Sequence, residues 1–324
     1  MIITKKENIL RTIYRNNPEW VPYRYDSMIN LYPNILVRAV DGGKDDWGTN
    51  WISTNSPEGS FPDITPPLTI DEISKYEVPR TDWGLITKDL KEKIKKNVNK
   101  DILMIVKNDL PFFERAKALL GMEALLINML FEKSKVSLLL DKVLNYQIKL
   151  TKAIMKSGCK GLRFTDDWGG QKSMLFSPSL WRKLIKPGMK RLYEIVKNHG
   201  GLVFHHSCGH IGEIIPDLIE IGCDVIDPCQ PSANDIFKWK REYGKDLSFM
   251  GGLDTQTYLS LGKPEEVKKE VFKVLSIMSK GGGYIPSPSH TITIPSLNRK
   301  AMLDAIDDFN KNTYTIDRAN ISLL

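Results

Sequence analysis

The chain has 324 residues, of which 41% are hydrophobic and 26% are charged, and its formal net charge is +7. These proportions are ordinary for a globular protein with a sizeable core. No apolar run approaches the roughly 20 residues that span a bilayer. Four cysteines in a chain of this length do not indicate a secreted disulfide framework. The lysines and arginines are mixed with acidic residues along predicted helices, which indicates a solvated surface rather than a nucleic-acid interface.

The N-terminal residues 1–8, MIITKKEN, contain no apolar signal core followed by a small-residue cleavage site. We therefore expect a cytoplasmic protein without membrane or nucleic-acid partners, although a local basic patch for an anionic cofactor stays open. Cys159 and Cys223 both lie between a predicted helix and a predicted strand. We expect both to be buried as small hydrophobic residues.

The predicted elements alternate between helices and short apolar strands. In chain order they are helix 4–15, strand 20–26, a loop-like stretch 41–68, helices 70–76 and 84–98, strand 102–109, helices 111–120, 122–131 and 136–156, strand 161–165, helix 178–198, strand 202–204, helix 211–221, strand 224–226, helix 235–243, strand 247–250, helix 264–280, strand 284–286 and helix 298–310.

The strands are continuous apolar runs, which is typical of parallel strands buried on both faces. A doubly wound sheet is the competing architecture, but the first βα turn lacks a Gly-x-Gly-x-x-Gly loop. The pattern predicts an α/β protein with a single-domain (β/α)8 TIM barrel over residues 1–324 and an N-terminal helical and loop extension. About seven βα units are recognisable, and one weaker strand is needed for eight.

The stretch 41–68 is long for a loop in a compact enzyme, so we expect a lid or a binding element. It contains Trp47 and Trp51. The two indoles either cover a substrate or plug the flank of the core, and the residues do not decide between these interpretations.

Side chains able to bind metals or transfer protons follow the predicted strands. Residues 204–209, FHHSCG, place His205, His206 and Cys208 after one strand, and His290 follows another. Four of the five histidines lie in or beside these two loops. Because barrel enzymes carry their catalytic residues at the carboxyl ends of the strands, this clustering predicts an enzyme.

Two interpretations of the histidine and cysteine set stay open, beside a purely structural one. The first is an open zinc site of His206, Cys208 and His290, with Cys229 or an aspartate as substitute ligands. The second is acid/base and hydrogen-bond chemistry without metal, in which His206 and His290 orient a carboxylate or carbonyl group. In the structural interpretation the histidines only cap loops.

Further candidates lie in two other strand-end loops. Asp166 and Asp167 are adjacent and point to opposite sides of an extended segment, so we expect one of them to be functional and the other to cap the following segment. Gly251 and Gly252 follow a strand, where they allow a ligand to approach the backbone, although a tight turn explains them equally well.

Several stretches together resemble the uroporphyrinogen decarboxylase superfamily, in particular its corrinoid-dependent methyltransferase-like branch. They are TDDWGGQ at 165–171, HSCG at 206–209, IIPDLI at 214–219, FMGGLDTQ at 249–256 and the segment from GGGYI at 281–285 to His290. The resemblance covers nearly the whole chain and implies a (β/α)8 barrel with a deep cleft at the carboxyl ends of the strands.

The resemblance also implies a methyltransferase that uses zinc and a corrinoid carried by a partner protein. His206 and Cys208 match the first two zinc ligands of such members, whereas His290 lies at or near the position of a third ligand that is a cysteine there. Asp167 and Asp254 would then position a small methylated donor or a folate or thiol acceptor. Gly251, Gly252 and Gln256 would line the side of the active site that faces the cofactor.

Two alternatives to methyl transfer follow from the same resemblance. In a decarboxylase of tetrapyrrole polycarboxylates, Arg24 would grip substrate carboxylates, but the chain lacks the rest of that family's arginine-rich N-terminal motif. A barrel that binds a tetrapyrrole or a corrinoid protein without catalysis is the third class. The oligomeric state and the substrate are left open by the sequence.

Overall fold

The centre of the molecule is a parallel sheet that curls around a buried interior. The computed structural model describes residues 3–54 and 59–321, with side-chain surroundings for 3–54 and 59–313. The strands are β1 (Met28–Leu31), β2 (Gly43–Lys44), β3 (Asn50–Ser53), β4 (Ser60–Pro62), β5 (Leu103–Asp109), β6 (Gly161–Thr165), β7 (Leu202–His206), β8 (Val225–Asp227), β9 (Ser248–Leu253) and β10 (Tyr284–Pro288).

Helices surround this sheet and connect its strands. They are α1 (Lys5–Tyr14), α2 (Arg24–Ser27), α3 (Trp83–Lys96), α4 (Phe113–Leu120), α5 (Met122–Phe131), α6 (Lys133–Met155), α7 (Pro178–Leu184), α8 (Lys186–Asn198), α9 (Ile215–Glu220), α10 (Ile236–Tyr243), α11 (Tyr258–Leu261), α12 (Pro264–Met278) and α13 (Ser296–Ile321). A 3₁₀ turn, Gly212–Ile214, precedes α9.

Seven strands form the main sheet in the order β1-β5-β6-β7-β8-β9-β10, and all neighbouring pairs are parallel. The predicted single-domain α/β barrel class is confirmed, although the described residues supply seven barrel strands and not eight. Helix α2 contacts β10 and leads directly into β1 at the other edge of the sheet. A helical turn thus lies where the barrel would otherwise close.

The predicted first strand, 20–26, is wrong. Arg24–Ser27 forms one helical turn, and the strand begins afterwards at Met28. Pro22 lacks a backbone N–H and cannot donate to a neighbouring strand, which disfavours the earlier register. The later register turns Met28 into the barrel interior, where it is buried.

Helix α1 closes the bottom of the barrel. Its Ile9 and Ile13 pack into one apolar cluster with interior-facing residues of the strands, namely Met28, Leu103, Ile105, Leu202, Phe204, Val225, Met250 and Ile285. Side chains alternate along a strand, so the next interior positions towards the carboxyl ends are Lys107, His206 and Asp227. The barrel interior therefore changes from apolar at the bottom to polar at the mouth.

The loop-like prediction for 41–68 is wrong in part, because β2, β3 and β4 form an antiparallel sheet there. Trp47 and Trp51 are both 3% exposed. Trp47 packs edge-on against Tyr146 at 4.7 Å between ring centroids, and Trp51 donates to Asp45 at 3.0 Å. The two indoles therefore plug the flank of the core. A lid function for the segment stays a prediction.

Two helix predictions need correction. Residues 70–76 form a series of turns, since the segment is short and confined by prolines at both sides. The predicted helix 178–198 is divided into α7 and α8 at Ile185, because Pro187 cannot donate within a continuous helix. Across the described ranges, no helix is long and apolar enough to cross a membrane.

Candidate metal centre

Three side chains able to bind a metal lie together at the carboxyl ends of β6 and β7. One donor atom from each of Asp167, His206 and Cys208 falls within 4.8 Å of the others. Nε2 of His206 is 3.5 Å from Sγ of Cys208 and 3.7 Å from Oδ1 of Asp167. The same Asp167 oxygen accepts a hydrogen bond of 2.8 Å from the backbone N–H of Cys208. The aspartate therefore joins the two loops that carry the cluster.

Strand register and two glycines bring these loops together. Thr165 of β6 pairs with His206 of β7, so the residues that follow each strand emerge side by side. Beyond them, a Cβ atom on Gly169 would lie 2.5 Å from the carbonyl carbon of Gly209. Only glycine allows the two backbones to approach this closely, and Asp167 is thereby held beside Cys208.

A buried ion pair holds the other side of the His206 ring. Nε of Arg163 donates to Oδ1 of Asp227 at 3.1 Å, and both side chains are almost fully buried. Nδ1 of His206 lies 3.2 Å from Oδ2 of Asp227 and 2.8 Å from Nη2 of Arg163. Arg163 can only donate, so its contact favours the tautomer in which Nδ1 accepts, whereas the contact with Asp227 favours the tautomer in which Nδ1 donates. In the second tautomer the lone pair of Nε2 points to Cys208 and Asp167, as in carboxylate–histidine–metal triads.

Burial and neighbouring charges have opposite effects on the pKa of Asp227 but act in the same direction on that of Cys208. Burial alone would raise the pKa of Asp227, but the positive charge of Arg163, the hydrogen bond from His206 and the positive charge of Arg24 outweigh it and hold that pKa far below its usual value. Burial raises the pKa of the Cys208 thiol, and the negative charges of Asp167 and Asp227 raise it further. Without a cation, Cys208 is therefore a neutral thiol.

The donor set fits a zinc ion. Tetrahedral zinc with ligand bonds of about 2.0–2.3 Å places neighbouring donor atoms roughly 3.4–3.6 Å apart. The measured separations from His206 Nε2, 3.5 Å to Cys208 and 3.7 Å to Asp167, are close to those values. Three protein donors with one side facing a cavity correspond to an open, catalytic type of zinc site rather than a closed structural one.

The cavity next to the cluster has a volume of about 350 Å³. Cys208 lies on its wall together with Gly170, Gln230, Gln256 and His290. His290, predicted as the third metal ligand, therefore shares the cavity with Cys208. It does not join the cluster of donor atoms, in which Asp167 takes the third position among the described residues. Cys229 or an aspartate was predicted as a substitute ligand, and the structure places an aspartate, Asp167, at the site.

Gly251 and Gly252 approach a neighbouring loop. A Cβ atom on Gly251 would lie 2.0 Å from the carbonyl oxygen of Pro228, and the N–H of Gly252 donates to that oxygen at 2.9 Å. The carboxylate of Asp254 accepts hydrogen bonds from the backbone N–H of Gln256 and the hydroxyl of Thr257. Gly251 and Gly252, predicted to follow the strand, thus lie within β9, whereas Asp254 shapes the loop after it. Of the three residues predicted on the cofactor side, Gln256 lines the cavity.

His205 belongs to the protein core. Its side chain is fully buried, stacks on Trp168 with ring centroids 4.1 Å apart, and shares a hydrogen bond of 2.7 Å with the Tyr193 hydroxyl. Burial lowers the pKa of His205 to about 3, and the neighbouring His206 charge lowers it as well. The alternation of side chains along β7 places His205 on the side opposite His206.

The remaining cysteines are buried away from the cluster. Cys159 and Cys223 are 6% and 4% exposed, which confirms their interpretation as small buried residues. Cys229, predicted as a substitute ligand, is also buried, and its thiol donates to the carbonyl of Ile226 at 3.4 Å. It does not belong to the donor group found in the described part of the chain.

Arg163 is the site residue that sequence reasoning missed. It stands inside β6, where every neighbouring position is buried, and its own side chain is 6% exposed. A charge in the middle of an apolar strand is costly unless it is paired, so Arg163 itself was the available signal. Its partner Asp227 is the last residue of β8.

Comparisons with known proteins place this barrel in a family. The family model described as Uroporphyrinogen decarboxylase (URO-D) matches residues 52–309. The chain belongs to the URO-D family, and its site is therefore most simply that of an enzyme of this superfamily.

Curated relatives carry the same family name at low identity. The uroporphyrinogen decarboxylase of Pseudoalteromonas translucida is 25% identical over 186 residues, covering 55% of this chain and 50% of the relative. One from Thermus thermophilus is 28% identical over 175 residues, covering 52% of this chain and 48% of that relative. The matched region thus spans about half the length of these relatives.

A solved structure shares the fold over nearly the full chain. It is described as a methyltransferase from Methanosarcina mazei, with a TM-score of 0.72 and 16% sequence identity. The match covers 95% of this chain and 99% of that one.

Proposed function

We propose that the protein is a methyltransferase that moves a methyl group between a small methylated compound, or a folate or thiol acceptor, and a corrinoid carried by a partner protein. The observation that carries the proposal is the donor cluster of Asp167, His206 and Cys208 at the barrel mouth, in which Cys208 lines the adjacent cavity. The fold shared with the Methanosarcina mazei methyltransferase supports it.

The residues of the chain would divide the work as follows. Asp167, His206 and Cys208 would hold zinc, and bound zinc would polarise the heteroatom that carries or receives the methyl group. Asp227 would keep the Nδ1 proton of His206, so that Nε2 stays available as a ligand. In the demethylating direction the partner's reduced corrinoid would supply the electron pair that bonds to the methyl group, and the heteroatom would keep the electrons of the broken methyl–heteroatom bond and take up a proton.

Metal content and methyl transfer in a His206→Ala variant test this proposal. We expect about one tightly bound zinc per chain in the wild type, and a loss of zinc affinity of 100-fold or more in the variant, because one of three ligands is gone. His199→Ala is the matched control, since His199 is exposed on α8 and outside the cluster. A zinc-free wild type whose methyl transfer to free cob(I)alamin survives His206→Ala would contradict the proposal.

Decarboxylation of a polycarboxylate is the second candidate, and one observation favours it. Arg24 reaches into the barrel interior, where its guanidinium lies 4.0 Å from Asp227 beside Arg163. Two arginines facing one aspartate leave an excess positive charge that would attract a substrate carboxylate. Turnover of uroporphyrinogen by the purified protein, lost in Arg24→Met, would establish this activity in place of methyl transfer.

A further inference from the structure

The cavity beside the metal cluster has a wall rich in side-chain amides. Three glutamines line it, namely Gln171, Gln230 and Gln256, together with the cluster residue Cys208. None of the described residues on its wall is an aspartate, a glutamate, a lysine or an arginine. Its volume of about 350 Å³ lies at the lower end of the range for small-molecule sites. Such a wall recognises a small ligand through hydrogen bonds and offers no carboxylate, ammonium or guanidinium group to balance a charged one.

Gln230 is held so that its amide donors stay available to a ligand. The residue is only 6% exposed, and its Oε1 accepts a hydrogen bond from the backbone N–H of Gly209, which follows Cys208. A backbone N–H can only donate, so this contact fixes the amide oxygen towards Gly209 and assigns the other branch to Nε2. Among the described residues, Nε2 of Gln230 has no acceptor, and the atom stays accessible from the cavity.

A second buried amide fixes the loop that carries Gln230. Nδ2 of Asn234 donates to the carbonyl of Gly209 at 2.9 Å, and Oδ1 of Asn234 accepts from the N–H of Ile211 at 3.1 Å. Nδ2 also lies 3.2 Å from the backbone carbonyl oxygen of Gln230. Asn234 therefore joins the loop after β8 to the loop after β7. The free donors of Gln230 and the thiol of Cys208 are thus held on one wall of the cavity.

The surroundings of this wall favour an uncharged ligand. Asp167 accepts from the N–H of Cys208 and places a negative charge beside the cavity, which repels an anion. An ammonium group carries donors only, so it cannot accept from Nε2 of Gln230. When zinc is bound, the Asp167 carboxylate and the Cys208 thiolate would balance the two positive charges of the ion. A neutral ligand with an acceptor oxygen is compatible with each of these features.

We propose that Gln230 is a substrate-binding residue that selects an uncharged methylated compound with a carbonyl or similar acceptor oxygen close to the methylated heteroatom. The acceptor oxygen would receive the protons of Nε2 of Gln230, and the heteroatom would face the donor atoms of Cys208 and His206. This assignment rests on the proposed methyl transfer for its role and names the substrate class of that reaction. The binding site itself can be tested without methyl transfer.

Methoxyacetamide and the isosteric anion methoxyacetate test the assignment by titration of chelator-treated protein, followed by NMR signals of the ligand. We expect the wild type to bind the amide at least tenfold more tightly than the anion. Gln230→Met should weaken binding of the amide about tenfold, because a thioether has no N–H to donate. Gln147→Met is the matched control, since Gln147 is 1% exposed and does not line the cavity, and it should leave both affinities unchanged.

Gln230→Glu separates ligand binding from support of the loop. The variant keeps an oxygen for the N–H of Gly209 but replaces the donors of Nε2 by a negative charge. At about pH 8, where an ordinary glutamate is ionised, it should bind methoxyacetamide about tenfold more weakly than the wild type. It should also bind 2-methoxyethylammonium at least tenfold more tightly than the wild type does. A residue that only supports the loop would leave both affinities unchanged in this variant.

Equal or tighter binding of methoxyacetate by the wild type, as a charged His290 would cause, overturns the assignment. Unchanged affinity for the amide in both Gln230 variants does so as well. Methyl transfer from methoxyacetamide to cob(I)alamin that Gln230→Glu leaves intact also overturns it, while the proposed function stands. Binding that depends on Gln230 in a protein without methyl transfer has the opposite meaning: the binding site is established and the proposed function fails.

Discussion

At the residue scale, Asp227 has two roles, since the same carboxylate contacts both Arg163 and His206. Its carboxylate neutralises Arg163 inside the barrel, and it lies within hydrogen-bonding distance of Nδ1 of His206. The positive charge of Arg163 and the hydrogen bond from His206 keep the carboxylate ionised despite full burial. An ionised Asp227 is the group that favours the His206 tautomer with a free Nε2.

Asp227→Asn should therefore weaken zinc binding by about 10–100-fold, the usual effect of removing a partner of a metal-bound histidine. It should also destabilise the fold by about 3–5 kcal/mol, because Arg163 is left buried without its counter-charge. Zinc competition titration and urea unfolding measure the two effects. Glu220→Gln is the control, since Glu220 makes only an exposed pair with Lys186. Unchanged zinc affinity in a folded Asp227→Asn variant would rule out the orienting role.

At the element scale, α4 is held at its first turn by two carboxylates from distant parts of the chain. Asp166 accepts hydrogen bonds from the backbone N–H groups of Phe113 and Glu114 at 3.0 and 2.8 Å, at the positive end of the helix. Asp45 pairs with Arg115 at 2.7 Å, with both side chains 0% exposed. The two Asp-Asp-Trp-Gly stretches, at 45–48 and 166–169, thus share a structural use.

Asp45→Asn should destabilise the protein by about 3–5 kcal/mol, because it leaves the Arg115 guanidinium buried without a counter-charge. Combining it with Arg115→Met should recover part of that loss, since an apolar side chain then replaces the unpaired cation. Chemical denaturation of the two single variants and the double variant measures the coupling, with the exposed Asp41→Asn as control. A double variant that loses the full sum of the single effects would show that the pair is not coupled.

At the scale of the whole molecule, the barrel is organised along its axis. Helix α1 fills the bottom with Ile9 and Ile13, and the polar groups of the interior face the mouth. Two cavities open at that mouth, one beside β7 to β10 and one beside β1 and β5. The apolar residues at the bottom of the barrel stabilise the fold. This stability allows the mouth of the barrel to hold charged groups close together.

Ile9→Ala should cost about 2–5 kcal/mol, because Ile9 is fully buried in the cluster that fills the barrel bottom. Tyr14→Ala on the same helix is the control, since Tyr14 is 60% exposed, and it should cost no more than about 0.5 kcal/mol. Thermal unfolding of both variants measures the difference. If Ile9→Ala were as stable as Tyr14→Ala, α1 would not be part of the barrel core.

Local patterns were sufficient to predict most of the barrel. Strands β5 to β10 are short apolar runs followed by polar residues, a signal carried by neighbouring positions alone. The same signal failed near β1 and at β2 to β4. There the strands are short, and the burial that stabilises them comes from distant partners, such as Ala118 on α4, which clusters with Trp51 of β3. Periodicity within a segment contains no information about such partners.

The sequence likewise predicted only part of the metal site. His206 and Cys208 are two residues apart, so their common side was visible in the sequence. The third donor depended on the register between β6 and β7 and on the close approach of Gly169 to Gly209, which together place Asp167 at the cluster. His290 is brought only to the cavity wall. Separations between donors on different strands are set by packing in three dimensions, which is why only the tertiary structure could select among them.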